Sequence, residues 1–349
     1  MTELARRGHE LVVCARRAEL SQDPPFELIV TGPASRFESV EPLAYMRQAR
    51  RIFARLDRER PFDLAHWIFP SSAELLLFSP PRALPFVVGP QGAPWPPGVW
   101  SRPRRAGDVV RGALRPLFAR AHARTLAAGS LFLGGTPEAA ESFPAERFRV
   151  VPFGVDVVRF PPQPLPASRR ILFVGRVEPN KGVRELVEAF PRVRERVPDA
   201  ALTVAGAGPL VDWARRRAVE LDVADAVSVL GHVEQAQLPD LLRDCALLCL
   251  PSYADAYGMV LLEAMATQRA VVASDVIGPR FLLDGGRFGR LVPPGDAAAL
   301  AAALADLLAQ PSELERLGLD GRRRVEERFT VARSADGVEQ AYADVLEAA

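Results

Sequence analysis

The sequence predicts an α/β protein of two doubly wound, Rossmann-like units, and three patterns predict it. Short apolar, β-branched runs at 10–14, 86–88, 170–175, 201–206, 247–251 and 270–273 alternate with longer helical patterns. Runs of that kind suit strands buried on both faces of a parallel sheet. Several of them end in Gly, Pro or Ser and lead into a helix, which is the βα rhythm of a doubly wound sheet. Composition changes at Pro161-Pro162-Gln163-Pro164-Leu165-Pro166, where four prolines in six residues predict a stiff linker. The expected layout is a first unit over 1–160, a linker over 161–168 and a second unit over 169–330. A C-terminal helix over 331–349 is expected to pack back toward the first unit. In such sheets ligands bind at the carboxyl ends of strands, here in a cleft between two facing units.

Composition removes several classes. A formal net charge of +1 gives no overall field that favours nucleic acid. No apolar run reaches the roughly 20 residues that span a bilayer. The first ten residues hold no apolar region of signal-peptide type. Cys14, Cys245 and Cys249 are an odd, sparse set in apolar surroundings, which fits buried thiols in a reducing cytoplasm. Four scattered histidines form no metal-ligand cluster, so neither a metal nor another cofactor is expected.

The basic residues carry the first functional signal. Of 44 Lys and Arg residues, 43 are arginine, and the single lysine is Lys181. The two types are nearly equivalent on a solvated surface, but not where a compact ammonium must reach a phosphate. By itself Lys181 is either a chance surface residue or a phosphate ligand, and its neighbours favour the second. The strand ending at Gly175 is followed by Arg176, a short turn, Lys181-Gly182 and a helix from about Val183. Two cations at the carboxyl edge of a strand, beside a helix start, suit a diphosphate. Two strands later, Pro251 ends a strand, a loop carries Asp255, and a helix starts near Gly258. A glycine there lets an anion approach free backbone N–H groups. Glu263, about one and a half turns into that helix, is placed to accept hydrogen bonds from ribose hydroxyls, and Asp255 to reach hydroxyls of a sugar. Together these groups suggest a nucleotide-diphosphate sugar.

From about residue 150 onward the chain resembles the donor-binding half of retaining glycosyltransferases of the GT-B fold, glycosyltransferase family 4. The resemblance rests on Val151-Pro152-Phe153-Gly154-Val155-Asp156, Gly175-Arg176 with Lys181-Gly182, and Gly206-Ala207-Gly208-Pro209. It extends through Leu230-Gly231-His232-Val233, the block from Asp255 to Glu263, and Leu291-Val292-Pro293-Pro294-Gly295-Asp296. It implies that Arg176 and Lys181 bind the distal phosphate, with Gly175 beside them. It also implies that Gly258 and Met259 offer backbone amides, Glu263 holds the ribose, Val233 meets the base and Asp255 holds the sugar. The family's carboxylate pair is usually Glu and Glu, so Asp255 is one methylene short. A slightly shifted sugar is the preferred reading over an impaired site.

The first half matches less well. Family members begin with a strand and glycine-rich loop before an Arg-Gly-His-Glu segment, whereas this chain starts almost at Arg7-Gly8-His9-Glu10. The first unit is therefore expected to lack its first strand, and the natural start is expected upstream. His66, in Asp63-Leu64-Ala65-His66, either faces the cleft and helps a hydroxyl or is simply packed. Gln91 stands where many members carry a histidine and cannot titrate. Between Arg102 and Arg124 lie seven arginines and one acid, Asp108. Arg111, Arg115 and His122 share one helical face, with Leu114, Leu117 and Phe118 nearby. A solvated face is preferred there over contact with an anionic membrane or a lipid-linked acceptor. His232 is expected beside the base pocket.

The expected function is retaining, metal-independent transfer of a sugar from a UDP- or GDP-linked donor to an acceptor hydroxyl, in surface glycan or glycolipid synthesis. The expected location is cytoplasmic, with peripheral membrane contact as the extension. No Asp-x-Asp segment occurs, and Arg176 with Lys181 would replace a metal. The rivals are a sugar-nucleotide epimerase and a non-catalytic sugar-nucleotide-binding subunit of a glycan assembly complex. A nicotinamide oxidoreductase is disfavoured, because Pro209 and a missing third glycine spoil the dinucleotide fingerprint.

Overall fold

The structure, a computed structural model, describes residues 1–15, 23–32, 41–68, 78–91 and 115–349. It divides into two compact units. The first takes the described residues up to Pro152 together with Ser334–Ala349, and the second takes Phe153–Arg333.

In the first unit α1 (Thr2–Arg6) precedes β1 (Val12–Ala15), which pairs in parallel with β2 (Glu27–Val30). After α2 (Glu41–Glu59) come β3 (Ala65–Trp67) and β4 (Phe86–Gln91), then α3 (Arg115–Ala128), β5 (Leu131–Gly134) and β6 (Phe148–Val150). Strands β3 to β6 form a parallel sheet in that order, separate from the β1–β2 pair. Successive side chains point to opposite faces of a strand, and both faces of this sheet are covered. Phe86, Val88 and Phe132 pack with Met46, Ala49 and Phe143. Val87, Leu133 and Val151 face the other way, onto Leu4 and onto Ala335, Val338, Ala341, Tyr342 and Val345 of the C-terminal segment.

The second unit alternates strand and helix throughout. Its first half holds β7 (Arg170–Val174), α4 (Val183–Arg196), β8 (Ala201–Ala205), α5 (Val211–Glu220), β9 (Val227–Gly231) and α6 (Leu238–Arg243). Its second half holds β10 (Leu247–Leu250), α7 (Met259–Ala266), β11 (Ala270–Ser274), α8 (Ile277–Leu282), β12 (Arg290–Val292), α9 (Ala297–Leu308) and α10 (Pro311–Arg328). Helix α11 (Val331–Glu347) then carries the chain into the first unit. The six strands are parallel in the order β12-β11-β10-β7-β8-β9. Strand order reverses between β7 and β10, so the loops leaving these two strands open side by side at the switch point. Helix α4 lays Val183, Leu186, Val187 and Phe190 on the sheet at helical spacing, and Asp296 caps α9 by accepting from the Ala298 and Ala299 N–H groups.

The proline-rich stretch is not a linker between units. The chain changes unit at Pro152/Phe153, and residues 161–168 lie inside the second unit. The cause is Arg269, a fully buried guanidinium that donates to the carbonyls of Gln163, Pro164, Leu242 and Arg243. The Gln163 N–H also donates to the Thr267 carbonyl. Prolines leave carbonyls without competing N–H groups, and a buried arginine satisfies several of them at once. Cys245 and Cys249 are buried, with burial pushing both thiols up, while Cys14 is only half-buried; all three are free. No helix among the described residues is long and apolar enough to cross a membrane.

Candidate functional site

The carboxyl ends of β7 and β10 bring together two of the expected groups. Lys181 Nζ lies 2.7 Å from Asp255 Oδ2, with each side chain 14% exposed. The loops that carry them are joined by backbone as well, because the Tyr253 N–H donates to the Asn180 carbonyl at 2.9 Å. Gly182 makes this approach possible. It has φ +68°, and a Cβ there would lie 1.9 Å from the Pro251 carbonyl oxygen. Any side chain would drive the two loops apart. Gly206 does the same for the neighbouring loop, since its Cβ would fall 1.8 Å from the Gly175 carbonyl oxygen. The Gly206-Ala207-Gly208 segment thus braces the β7 loop through backbone, with the Val177 N–H donating to the Ala207 carbonyl.

Asp255 is fixed from three sides. Oδ2 meets Lys181, Oδ1 accepts from the Tyr257 N–H at 3.2 Å, and its carbonyl accepts from the Gly278 N–H. The turn it makes ends at Gly258, the left-handed residue that precedes α7. Met259 is the first residue of that helix and is exposed, and the Asp255 carboxylate that meets Lys181 also accepts from the Tyr257 N–H, two residues before the helix begins. An ammonium next to a helix N-terminus is an arrangement that binds an oxyanion. Tyr257 is locked beneath this loop. Its hydroxyl donates to the Phe153 carbonyl, and its ring meets Phe153 edge-on at 4.8 Å.

Arg176 is 46% exposed and pairs with Glu178 at 2.7 Å. Gly175 closes β7, its N–H donating to the Ala205 carbonyl. Glu263 lies mostly buried in the second turn of α7. Burial raises its carboxyl above the usual range, and the Arg159 charge offsets part of that rise. Val233 packs against the core after β9, while His232 is exposed and bonded to Glu234 at 3.0 Å.

His66 is in the first unit, and both of its ring nitrogens are occupied. Nε2 is 2.6 Å from the Gly89 carbonyl and Nδ1 is 2.7 Å from the Tyr342 hydroxyl. A carbonyl only accepts, so Nε2 carries the proton and Nδ1 accepts from Tyr342. Burial pushes the imidazole down to about 4. The ring is neutral near pH 7, and its geometry is that of a packed histidine tying β3 to β4 and α11. Arg111 and Leu114 lie outside the described residues, as do the side chains of Gln91, Arg115 and Phe118.

Sequence reasoning missed three contributors in the second unit. Tyr253 donates to Glu185 Oε1 at 2.7 Å, and this bond pushes its phenol up to about 12. Tyr257 was one letter in a quoted motif. Arg159 follows Asp156, whose carboxylate caps the Val158 and Arg159 N–H groups. An Asp at a turn start just before a proline run was the available signal.

Comparison with known proteins gives this architecture a family. Residues 168–310 match the family model described as glycosyl transferases group 1. A phosphatidyl-myo-inositol mannosyltransferase of Mycolicibacterium smegmatis is 32% identical over 312 residues, covering 86% of this chain and 77% of that protein. The chain belongs to the group 1 glycosyltransferases. A glycogen synthase of Mycobacterium tuberculosis is 33% identical over 196 residues, 55% of this chain. This glycosyltransferase spans about half of that relative, 47% of its length. Among solved structures, Anabaena HepE in complex with UDP matches with a TM-score of 0.69 at 18% identity, covering 92% of this chain and 86% of that one. The fold is the GT-B type, built of two Rossmann-like units.

Proposed function

We propose that this glycosyltransferase moves a sugar from a nucleoside-diphosphate donor to an acceptor hydroxyl with retention of configuration and without a metal. The reading is carried by one observation: Lys181 pairs at the switch point of the second sheet with Asp255, which lies in the loop that leads through Gly258 into α7. In this reading Lys181 and the α7 amides receive the diphosphate, with Arg176 swinging from Glu178 to join them. Met259 and Gly258 contribute backbone there, Gly175 gives clearance, Val233 meets the base and Glu263 takes the ribose hydroxyls. Asp255 orients the sugar. Negative charge grows on the leaving diphosphate, so fixed positive groups stabilise the transition state more than the ground state. No side chain is assigned as nucleophile. The departing phosphate accepts the acceptor's proton on the face it leaves, which retains configuration.

The UDP in the HepE structure supports a nucleoside diphosphate as donor, with UDP- and GDP-sugars the first to test. The relatives' names support a glycan or lipid-linked polyol as acceptor, with peripheral membrane contact in the lipid case. A thermal-shift panel of UDP-, GDP- and ADP-sugars tests the reading. One base series should raise Tm in a concentration-dependent way. A flat response across all three at millimolar ligand would overturn it.

A further inference from the structure

Arg159 belongs to none of the motifs that suggested the function, yet its surroundings are built. It lies in a turn whose two ends are anchored, Val155 and Phe160 being buried in the core of the second unit. Asp156 fixes the turn by accepting from the Val158 and Arg159 N–H groups at 2.9 and 3.2 Å. The guanidinium carbon lies 5.4 Å from the Phe160 ring centroid, and Nη2 donates to the Gln235 carbonyl at 2.5 Å. Gln235 opens the short 3-10 turn after Val233. A reciprocal cap fixes that turn, with the Glu234 side chain accepting from backbone and the Glu234 N–H donating to Gln237 Oε1. The Arg159 charge also offsets part of the rise that burial gives the Glu263 carboxyl. No described side chain donates a hydrogen bond to that carboxylate, so it keeps its acceptor capacity.

We propose that Arg159 is the positioning residue of the nucleoside side of the donor site, its guanidinium tethering the loop that follows Val233 to the turn that Asp156 fixes. The proposal rests on the reading of Val233 and Glu263 as base and ribose contacts. The base-side loop runs from β9, an edge strand, into the 3-10 turn that opens α6, and a tether from another element limits the excursions of its first residues. A ligand spanning loop and helix then binds a pre-arranged pair and does not have to order them. Because the tether is made before the ligand arrives, its loss affects binding of donor and transition state equally.

The test is calorimetric titration of UDP, GDP and ADP into the wild-type chain, Arg159→Gln and Arg159→Lys, with Tm measured for each. The nucleotide that binds wild type should bind Arg159→Gln about tenfold more weakly, as expected for one lost charge-assisted hydrogen bond. Arg159→Lys keeps a charged donor and should recover most of the affinity, with Tm of both variants near wild type. With the preferred sugar nucleotide, Arg159→Gln should raise donor KM and leave kcat unchanged. Unaltered nucleotide affinity in Arg159→Gln overturns the proposal. So does a Lys variant as weak as the Gln variant, or a loss that tracks a fall in Tm. A wild-type chain that binds none of the three nucleotides overturns the donor reading itself, and Arg159 with it.

Discussion

Replacing Lys181 separates two roles that the structure superimposes on one side chain. Lys181 Nζ and Asp255 Oδ2 are 2.7 Å apart, each side chain 14% exposed. At an effective dielectric constant near 20, two unit charges at that distance attract by about 6 kcal/mol. Desolvation of both groups offsets most of this, leaving a net gain on the order of 1 kcal/mol. Removing one partner is worse than removing both, because the remaining charge stays covered and has lost its counter-charge at 2.7 Å. Lys181→Met or Asp255→Asn should each cost about 2 kcal/mol, and the double variant no more than either single one, a coupling of roughly 2 kcal/mol. In Tm each single variant should lose about 4–8 °C. Lys181→Arg keeps the pair, because a guanidinium also binds a carboxylate, so its Tm should stay near wild type. Its donor turnover should still fall about tenfold or more, because a planar fork does not replace a compact ammonium against a phosphate. Urea denaturation of the four variants and a donor-turnover assay of the Arg variant read both effects. Additive single-variant costs would refute the ion-pair argument. Wild-type turnover in Lys181→Arg would return the lone lysine to an accident of codons.

Two further outcomes follow from buried ionisable groups. His66 is held neutral, with its imidazole pushed down to about 4, while the unfolded chain protonates it near 6.5. The unfolded state therefore binds more protons as pH falls below 6.5, and stability is lost through the window down to 4. By pH 5 this amounts to about 2 kcal/mol relative to pH 8. Urea denaturation at the two pH values should show that extra loss in wild type and not in His66→Gln; equal losses would sink the assignment. Glu263 has the opposite sense. Burial raises its carboxyl, so stability is full below the unfolded value and is lost as pH rises through the raised one. Glu263→Gln should therefore have the higher Tm at pH 8 and no advantage at pH 4, while binding nucleotide more weakly. A variant less stable than wild type at pH 8 would contradict this.

What could be read from the sequence depended on burial. The central strands β7, β8, β10 and β11 are apolar runs covered on both faces, and 170–175, 201–206, 247–251 and 270–273 stand out in the letters. The edge strands β9 and β12 do not. Ser228, Leu230 and Arg290 face solvent there, so the run is broken. The proline-rich stretch was misread because proline density signals stiffness but not where the stiff segment lies. The buried guanidinium that settles this, Arg269, is one arginine among 43. The same bias hid Arg159. Lys181 was legible because it was the exception, and its position beside the α7 terminus follows from strand order. Its pairing with Asp255 was not legible, because contact across 74 residues depends on how closely two loops approach. Gly182 sets that approach, since a Cβ there would strike Pro251.

If Lys181 and Asp255 form the donor site, donor chemistry runs through the loops of β7 and β10. The most direct measurement is release of nucleoside diphosphate from the sugar nucleotide that stabilises the chain, followed by a coupled assay in wild type and Lys181→Ala. Wild type should release it steadily, and the variant should lose at least about 100-fold, the scale of removing one electrostatic contact made in the transition state. Equal release by the two proteins would contradict it.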